Sequence, residues 1–378
     1  MGKRILAGLL AVALALTLGG CWNYRSLDQM NIVVGVAVDY NEENKLFELS
    51  YETADLTGAQ KRASITGKII TSQGKTIFDA VRNTKRKEED RLFFGNSNLL
   101  VISHQVVQKM GIMPVIEWFL RDGECRETMN VAISQEGSAR ALLETTQDTS
   151  GIISRSLYDI IREDKDVTAT SVDVKLFQVY GKIRSKRNSV ALPVLHKVKN
   201  GEKEIPELNG TGILKGDKLI GYLSPEQSKY LLFVEGKLKS GILTLSLSDL
   251  ETDDISLEIL RNKSKKSFSY DEGKITVNIK TETCVAIGEN RTWLDMMDPE
   301  VIQRIEDAAR EKIETNIREL TSTLQNEFRT DVLGFGETIY QRDLKLWKQL
   351  EPSWEEIYPT VEVEVSSRVR VVNSAFIK

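Results

Sequence analysis

Histidine, cysteine and proline are scarce in this sequence, which has 2 His, 3 Cys and 7 Pro among its 378 residues. Two histidines argue against a histidine-rich metal centre and against histidine-based catalysis. The 51 Lys and Arg residues are balanced by 55 Asp and Glu residues, which gives a formal net charge of −4. Proteins that bind nucleic acid usually carry a basic face, and this charge balance does not suggest one. The composition therefore argues against metalloenzymes and against nucleic-acid-binding proteins.

The sequence motifs of common catalytic classes are also missing. Neither His104 nor His196 sits in a Gly-x-Ser-x-Gly elbow, and each is predicted to be a surface or packing residue. No Gly-x-x-x-x-Gly-Lys-Ser/Thr phosphate loop and no Cys-x-x-Cys or His-x-x-x-His metal spacing occurs. The 55 acidic residues leave a glycosidase-type carboxylate pair open, because they allow many pairings. We predict a protein with no enzymatic activity, no cofactor and no bound metal.

The first 20 residues have the pattern of a secretory signal peptide. Lys3 and Arg4 supply positive charge, and residues 5–18 form an apolar run. Crossing about 30 Å of hydrocarbon takes about 20 apolar residues, so this run is too short for a spanning helix. A charged start, a short apolar stretch and small residues before a cleavage point are typical of a signal peptide. We predict that residues 1–20 are removed.

The residue after this signal is a cysteine, and the local sequence Leu18-Gly19-Gly20-Cys21 resembles the lipobox of bacterial lipoproteins. In such proteins the cysteine sulfur receives a diacylglyceryl group, and the chain is cut just before that cysteine. Two or more acyl chains bury enough methylene groups for stable anchoring, whereas one chain does not. We therefore predict lipid attachment at Cys21 and an extracytoplasmic body outside the membrane. The alternative is an ordinary signal peptide whose cleavage happens to precede a cysteine.

The other two cysteines, Cys125 and Cys284, lie far apart in sequence. They could pair in an oxidising compartment, but no local pattern requires a disulfide bond. We predict two buried free thiols, with Cys284 acting as a small apolar residue in a strand.

The hydrophobic patterns predict an α+β protein of three domains, built on mixed β-sheets with packed helices. The N-terminal α/β domain comprises residues 21–188. Within it, the pattern predicts a helix from 105 to about 121, with a break at Pro114. A small β-rich middle domain follows over 189–252, with a hairpin turn at Gly216-Asp217 and a short helix over 225–232.

The C-terminal α+β domain comprises residues 253–378, with strands over 255–260, 267–270 and 274–287. Asp298-Pro299 begins a long amphipathic helix of about 33 residues, with Gly334 as its stop. Its apolar stripe lacks a sustained heptad, so packing against the domain's own sheet is favoured over a coiled coil. The alternating valines of 360–372 predict a last strand in that sheet.

Several sequence blocks together match one known pattern. The mature chain would start Cys21-Trp22-Asn23-Tyr24-Arg25-Ser26-Leu27-Asp28 and continue into Ile32-Val33-Val34-Gly35-Val36-Ala37-Val38-Asp39. The later blocks are Arg91-Leu92-Phe93-Phe94-Gly95, Leu100-Val101-Ile102-Ser103, Phe119-Leu120-Arg121-Asp122, the segment from Asp331 to Glu337, Trp347 and Trp354, and the alternating valine strand.

In this order, the blocks resemble the Ger(x)C lipoproteins, the C subunits of spore germinant receptors in spore-forming Gram-positive bacteria. Asn23 and Ser26 replace acidic residues of the family's opening. Gly123-Glu124-Cys125 departs from the Pro-Glu-Ile that the family often has.

The resemblance implies a protein anchored to the outer face of the cell or spore inner membrane and needed for nutrient-triggered germination. Its implied partners are two integral membrane subunits, an A-type subunit and a permease-like B-type subunit. The family has no known enzymatic activity. Whether the chain also contacts a small-molecule ligand stays open. The competing hypotheses are a solute-binding lipoprotein that captures a nutrient between domains and, more weakly, an extracytoplasmic cell-wall hydrolase.

Other residues have predicted roles beside that of Cys21. Trp22 and Arg25 would adjoin the lipid, where Trp favours the membrane interface and Arg can meet lipid phosphates. A purely structural role for these two residues is the alternative. Asp331, Gly334 and Gly336 are predicted to shape a helix exit, with the glycines in left-handed backbone.

Overall fold

Residues 30–55, 66–145, 151–185, 188–247 and 254–373 are described by a computed structural model of the chain, together with residues 2, 4–6 and 8. None of the helices in these residues combines the length and the apolar character that a membrane span requires.

The larger of two sheets contains nine strands in the described residues, in the order β3-β2-β1-β5-β6-β7-β8-β9, with β4 also paired to β1. The central strands β1, β5, β6 and β7 are parallel, and the outer strands are antiparallel. The strands are β1 (Met30–Asn41), β2 (Leu46–Asp55), β3 (Thr66–Gly74), β4 (Arg91–Phe93), β5 (Leu99–Ser103), β6 (Asn130–Ser134), β7 (Ser189–Asn200), β8 (Lys203–Lys215) and β9 (Lys218–Leu223).

Helices cover both faces of the central strands. Alternate residues of a strand point to opposite faces, so Leu100 and Ile102 of β5 enter one core while Leu99 and Val101 enter the other. The smaller core is closed by the segments 140–143 and 153–164. The helices in the described residues are α1 (Ile77–Asn83), α2 (His104–Lys109), α3 (Met113–Arg121), α4 (Arg140–Leu143), α5 (Ile153–Asp164), α6 (Leu176–Ile183), α7 (Pro225–Glu235), α8 (Pro299–Ser322), α9 (Phe335–Arg342), α10 (Leu344–Leu350) and α11 (Trp354–Ile357).

The second sheet carries the long helix α8 on one face, as the sequence predicts. Its order is β10-β11-β12-β13, and β13 runs parallel to β12. In the apolar stripe of α8, Ile305, Ile313 and Ile317 are completely buried. The strands of this sheet are β10 (Ile242–Leu245), β11 (Ile255–Asp271), β12 (Lys274–Asn290) and β13 (Glu362–Asn373). The predicted α+β class with mixed sheets and a long C-terminal helix is confirmed.

The long helix begins where predicted but ends earlier. Asp298 caps it by accepting a hydrogen bond from the Glu300 amide at 2.9 Å. After α8 comes one π-helical turn, Thr323–Glu327, in which the Gln325 side chain donates to backbone oxygens of the 358–361 segment. Arg329 then has φ 48°, in the left-handed region, and the Thr330 amide donates to the Leu324 carbonyl at 3.2 Å, which ends the helix after its π-helical turn. The predicted stop at Gly334 is therefore wrong.

Two further predictions of element boundaries are corrected by the structure. The helix expected from 105 to 121 is two helices, but the break lies at Gly111, which has φ 85°, and not at Pro114. Pro114 lies in the first turn of α3. A backbone N–H at that position has no carbonyl partner within the helix, so proline costs no hydrogen bond there. The strands expected over 255–260 and 267–270 form the single strand β11, whose register shifts between Ile259 and Arg261.

Helix α7 joins the two sheets. Its residues Tyr230 to Val234 are all buried, which is expected of a helix packed on every side. It packs on β8 of the larger sheet and on β11 of the smaller one, where the Asn262 side chain donates to the Phe233 carbonyl at 3.1 Å. β6 lies before residue 188 and β7 lies after it, and the two strands pair, so the larger sheet extends across the predicted domain boundary. The division into three domains at 188 and 252 stays a prediction.

Candidate functional site

The residues predicted to adjoin the lipid, Cys21, Trp22 and Arg25, lie outside the described residues. Lipid attachment at Cys21 therefore stays a prediction.

Both histidines have hydrogen-bond partners in the fold. Nδ1 of His104 lies 3.2 Å from the Ser134 carbonyl oxygen, and Nε2 of His196 lies 2.9 Å from a Glu207 carboxylate oxygen. Within the described ranges, no group of three or more His, Cys, Asp or Glu residues is placed to hold a metal ion.

Cys125 and Cys284 are free thiols, as predicted, but each is half-buried rather than buried. Burial raises the pKa of the Cys125 thiol, and the nearby carboxylates of Asp122 and Glu124 raise it further. The thiolate is the reactive form of cysteine, so Cys125 is a poor nucleophile.

Two blocks that carry the family resemblance meet in one groove of about 590 Å³, which we call the β4 groove. Arg91 to Phe94 come from β4 and the residue that follows it, and Trp118 and Asp122 come from the end of α3. Helix α1 and the turn after it form the opposite wall. The groove is lined by Phe78, Val81, Arg82, Thr84, Lys85, Glu89, Asp90, Arg91, Leu92, Phe94, Trp118, Asp122 and Glu124.

An aromatic cluster forms the floor of the β4 groove. Phe94 is buried, and its ring centroid lies 5.5 Å from that of Trp118 and 6.0 Å from that of Tyr51, both in edge-on geometry. Phe119 packs against Trp118 at 4.8 Å. Edge-on packing of aromatic rings adds about 0.5–1.5 kcal/mol per pair beyond the area buried, so these contacts stabilise the floor.

The rim of the β4 groove carries charges of both signs. Arg91 forms an ion pair with Glu124 at 2.8 Å, and Lys85 donates to the Glu89 carbonyl. The Arg82 guanidinium lies 5.0 Å from the centroid of the Phe78 ring, which is 50% exposed. An exposed aromatic residue beside a buried aromatic floor and a mixed-charge rim matches the anatomy of a protein-binding surface.

The groove lies where the described chain begins. β4 pairs in parallel with the first residues of β1, with Met30 beside Arg91 and Ile32 beside Phe93. Sequence reasoning identified the blocks at 91–95 and 119–122 but did not predict that they meet. Phe78 lies on α1, and only the fold shows that half of its surface is exposed.

The C-terminal residues singled out in the sequence form a second cluster, the Asp331 cluster, which comprises Asp331, Gly334, Gly336, Trp347 and Trp354. The Asp331 carboxylate is buried and accepts hydrogen bonds from the amides of Phe335 and Gly336 at 2.8 and 2.7 Å. One of its oxygens also accepts from Nε1 of Trp354 at 3.2 Å. Asp331 thus caps the start of α9. The prediction that it shapes the exit of a helix is wrong.

The two glycines of the Asp331 cluster are required for different reasons. Gly334 has φ 72° and lies in the left-handed region, as predicted. Gly336 does not have a positive φ, so that part of the prediction is wrong. A Cβ at Gly336 would lie 2.7 Å from the Trp347 ring and 2.8 Å from Nε1 of Trp354. Close approach of two indoles therefore requires glycine at this position.

Two family models match this chain, one after the other. The model described as "Spore germination protein N-terminal domain" matches residues 23–197, and "Spore germination B3/ GerAC like, C-terminal" matches residues 209–375.

Curated relatives from Bacillus subtilis (strain 168) match over nearly their whole length. Spore germination protein B3 is 21% identical over 366 residues, 95% of each chain. Spore germination protein A3 is 24% identical over 365 residues, 94% of each chain. Among solved structures, the crystal structure of the GerBC protein superposes with a TM-score of 0.58 at 18% identity, covering 90% of this chain and 97% of that one.

Proposed function

This chain belongs to the Ger(x)C family of spore germination proteins, and from that premise we propose that it is the lipid-anchored C subunit of a spore germinant receptor. It acts in nutrient-triggered germination by docking onto membrane-embedded receptor subunits, without chemistry of its own. The single observation that carries this proposal is the ordered match of both family models, which together cover most of the chain.

The position of the β4 groove supports docking close to the membrane. Met30 lies nine positions after Cys21, and an extended chain spans at most about 3.3–3.6 Å per residue. A lipid on Cys21 would therefore hold the start of β1, and β4 beside it, within roughly 30 Å of the membrane surface. A loop of a membrane-embedded subunit could reach the groove at that distance.

The chemistry of the β4 groove supports a protein partner. Its aromatic floor offers a pocket for an apolar anchor residue, and anchors of this kind carry most of the energy of a typical interface. Its rim offers Arg82 and Lys85 beside Glu89 and Asp90 for charged partners. We propose that the occupant is an extracytoplasmic loop of the A-type or permease-like B-type subunit, with an aromatic or aliphatic side chain between acidic and basic residues.

Replacement of the lipidated residue tests the anchor and the function together. In spores that carry Cys21→Ala, we expect the protein to leave the membrane fraction and nutrient-triggered germination to fall. A Cys284→Ala variant is the matched control, because it removes another thiol far from the signal sequence, and it should fractionate normally. Membrane retention of Cys21→Ala would overturn the anchor, and normal germination with the protein released would overturn the need for it.

A further inference from the structure

The smaller sheet has one face that is open in the described part of the chain. On the other face, Ile279, Val365 and Val369 are buried in one core with the apolar stripe of α8. Neighbouring residues of a strand point to opposite faces, so the residues between these point away from α8. Those residues of β11, β12 and β13 are exposed or half-buried. Nothing in the docking function described above uses this face.

Basic side chains concentrate in the middle of the open face, in an area that we call the basic face. Three neighbouring rows across β11, β12 and β13 carry six cations and one carboxylate. The paired residues are Arg261, Cys284 and Arg370 in the first row, Lys263, Glu282 and Arg368 in the second, and Lys265, Lys280 and Ser366 in the third. Rows are about 7 Å apart and strands about 4.8 Å apart, so the nine residues share about 14 by 10 Å of sheet. The charge balance of the whole sequence does not show this cluster, because only strand pairing brings it together.

The fold does not neutralise the charges of the basic face. All six cations are exposed, and none forms an ion pair with any described residue. Lys265 and Lys280 lie directly opposite each other on antiparallel strands, where like charges are destabilising. Glu282 is the one carboxylate within the three rows, and those of Glu258 and Glu364 lie in the rows beyond. A partner that brings negative charge would relieve the remaining repulsion.

The composition of the basic face favours a lipid surface over a protein partner. Seven of the nine side chains in the three rows are charged, and none is aromatic. The centre of a protein interface is instead depleted in charged residues and enriched in aromatic ones. Clusters of lysine and arginine are typical of surfaces that bind anionic lipids. A broad sheet face can also meet several headgroup phosphates at once.

We propose that the basic face contacts the phosphate headgroups of anionic lipids in the membrane to which the chain is tethered. The location at that membrane rests on the lipid anchor proposed above, whereas the contact itself needs only the basic face. Salt screens the attraction between exposed charges. The basic face therefore orients the tethered protein and does not replace the lipid on Cys21, so Cys21→Ala is still released from membranes that are washed with salt.

Vesicle binding by the mature chain without its lipid, residues 21–378 with Cys21→Ala, tests the proposal. One set of vesicles contains phosphatidylcholine alone, and the other contains equal parts of phosphatidylcholine and the anionic phosphatidylglycerol. At about 0.1 M NaCl, where the Debye length is about 10 Å, we expect at least about tenfold tighter binding to the anionic vesicles. At about 1 M NaCl the Debye length is about 3 Å, and the preference should disappear.

Equal binding to both kinds of vesicle, or binding to neither, would overturn the proposal. Tighter binding to a polyglutamate peptide than to the anionic vesicles would also overturn it, and would make an acidic protein segment the occupant. Neither result would bear on the lipid anchor, because Cys21→Ala tests that anchor separately in spores.

Matched double variants locate the contact on the sheet. Lys263→Gln with Lys265→Gln changes two exposed residues of β11 and removes the repulsion from Lys280, so this variant should fold. It should bind anionic vesicles about tenfold more weakly or worse. Lys199→Gln with Lys218→Gln is the control, because it removes two exposed charges from strands of the larger sheet and should bind like the parent chain. An equal loss of binding in both double variants would show that net charge alone sets the attraction, and would contradict a site on the basic face.

Discussion

At the scale of single residues, Gly336 shows that a glycine can be required without an unusual backbone angle. Its φ is ordinary, but the rings of Trp347 and Trp354 leave no space for a Cβ. Protein cores are close-packed, so such a contact can be relieved only by moving side chains or backbone. The two tryptophans were visible in the sequence, but their approach to Gly336 depends on the fold of the α9–α11 segment.

We predict that Gly336→Ala destabilises the protein by about 1–3 kcal/mol, the usual cost of overpacking a core. The measurement is the free energy of unfolding in urea, followed by tryptophan fluorescence. Gly181→Ala is the matched control, since Gly181 also lies in a helix and an added Cβ meets no atom within 4 Å. The control should be neutral or slightly more stable, because alanine favours helix more than glycine does. Equal stability of the two variants would contradict the packing described here.

At the scale of elements, two buried carboxylates stabilise the N-termini of helices that come later in the chain. One carboxylate lies just before its helix, and the other lies far before it. Asp331 binds the first amides of α9, and Glu52 of β2 accepts from the amides of Ile153 and Ser154 at 2.7 and 2.6 Å at the start of α5. Helix N-termini carry partial positive charge and unpaired amides, so a carboxylate stabilises them. The periodicity of a segment does not show which distant side chain caps it, so a cap from 101 residues away could not be predicted.

We predict that Asp331→Asn lowers the free energy of unfolding by about 2–4 kcal/mol. Asparagine has one acceptor oxygen, so its NH₂ group would face an amide or indole N–H that now donates to Asp331, and a buried donor loses its partner. Asp343→Asn is the matched control. Asp343 is exposed and caps α10 through one bond to the Leu346 amide, a role that asparagine fills about equally well. Similar losses in both variants would refute the special role of Asp331.

Glu52 gives a prediction about pH. Burial raises the pKa of its carboxyl above the ordinary 4.5, and the hydrogen bonds from the Ile153 and Ser154 residues offset only part of that effect. Between pH 4.5 and the pKa of Glu52 in the folded protein, the folded protein binds more protons than the unfolded chain. The free energy of unfolding therefore falls as pH rises through that range.

Glu52→Gln removes this titration and isolates its contribution. We expect the free energy of unfolding of the wild type, minus that of Glu52→Gln, to decrease as pH rises above about 4.5 and to level off above the folded pKa. Glu48→Gln, in the same strand but only partly buried, controls for a general loss of charge. A difference that stays constant or grows with pH would show that the carboxyl is not held as described.

The sequence predicted most elements of the fold and missed those set by distant contacts. Alternation over 360–372 placed β13, and the apolar stripe after Asp298 placed the long helix, because both elements bury a continuous face. The misplaced boundaries depend on contacts from elsewhere in the chain, such as the Asp217 carbonyl that holds the Ile112 amide at 2.7 Å after Gly111. Likewise, two family blocks contribute residues to the β4 groove, but the sequence did not show that they form one surface.

At the scale of the whole molecule, one large core runs from the first sheet through α7 into the second sheet. The β4 groove lies at the start of the described chain, beside the segment that leads back to Cys21. Between the two sheets, residues Tyr230 to Val234 of α7 are buried. This arrangement favours a tethered body that presents a surface to its partners.

Photo-crosslinking in spore membranes tests the central claim most directly. A photoreactive amino acid replaces Phe78 at the β4 groove or, as the control, Trp293, which is fully exposed after β12. We predict that the Phe78 position crosslinks to an integral membrane receptor subunit and that the Trp293 position does so far less. Crosslinks to such a subunit from Trp293 but not from Phe78 would contradict docking through the groove, and none from either position would contradict docking by this chain.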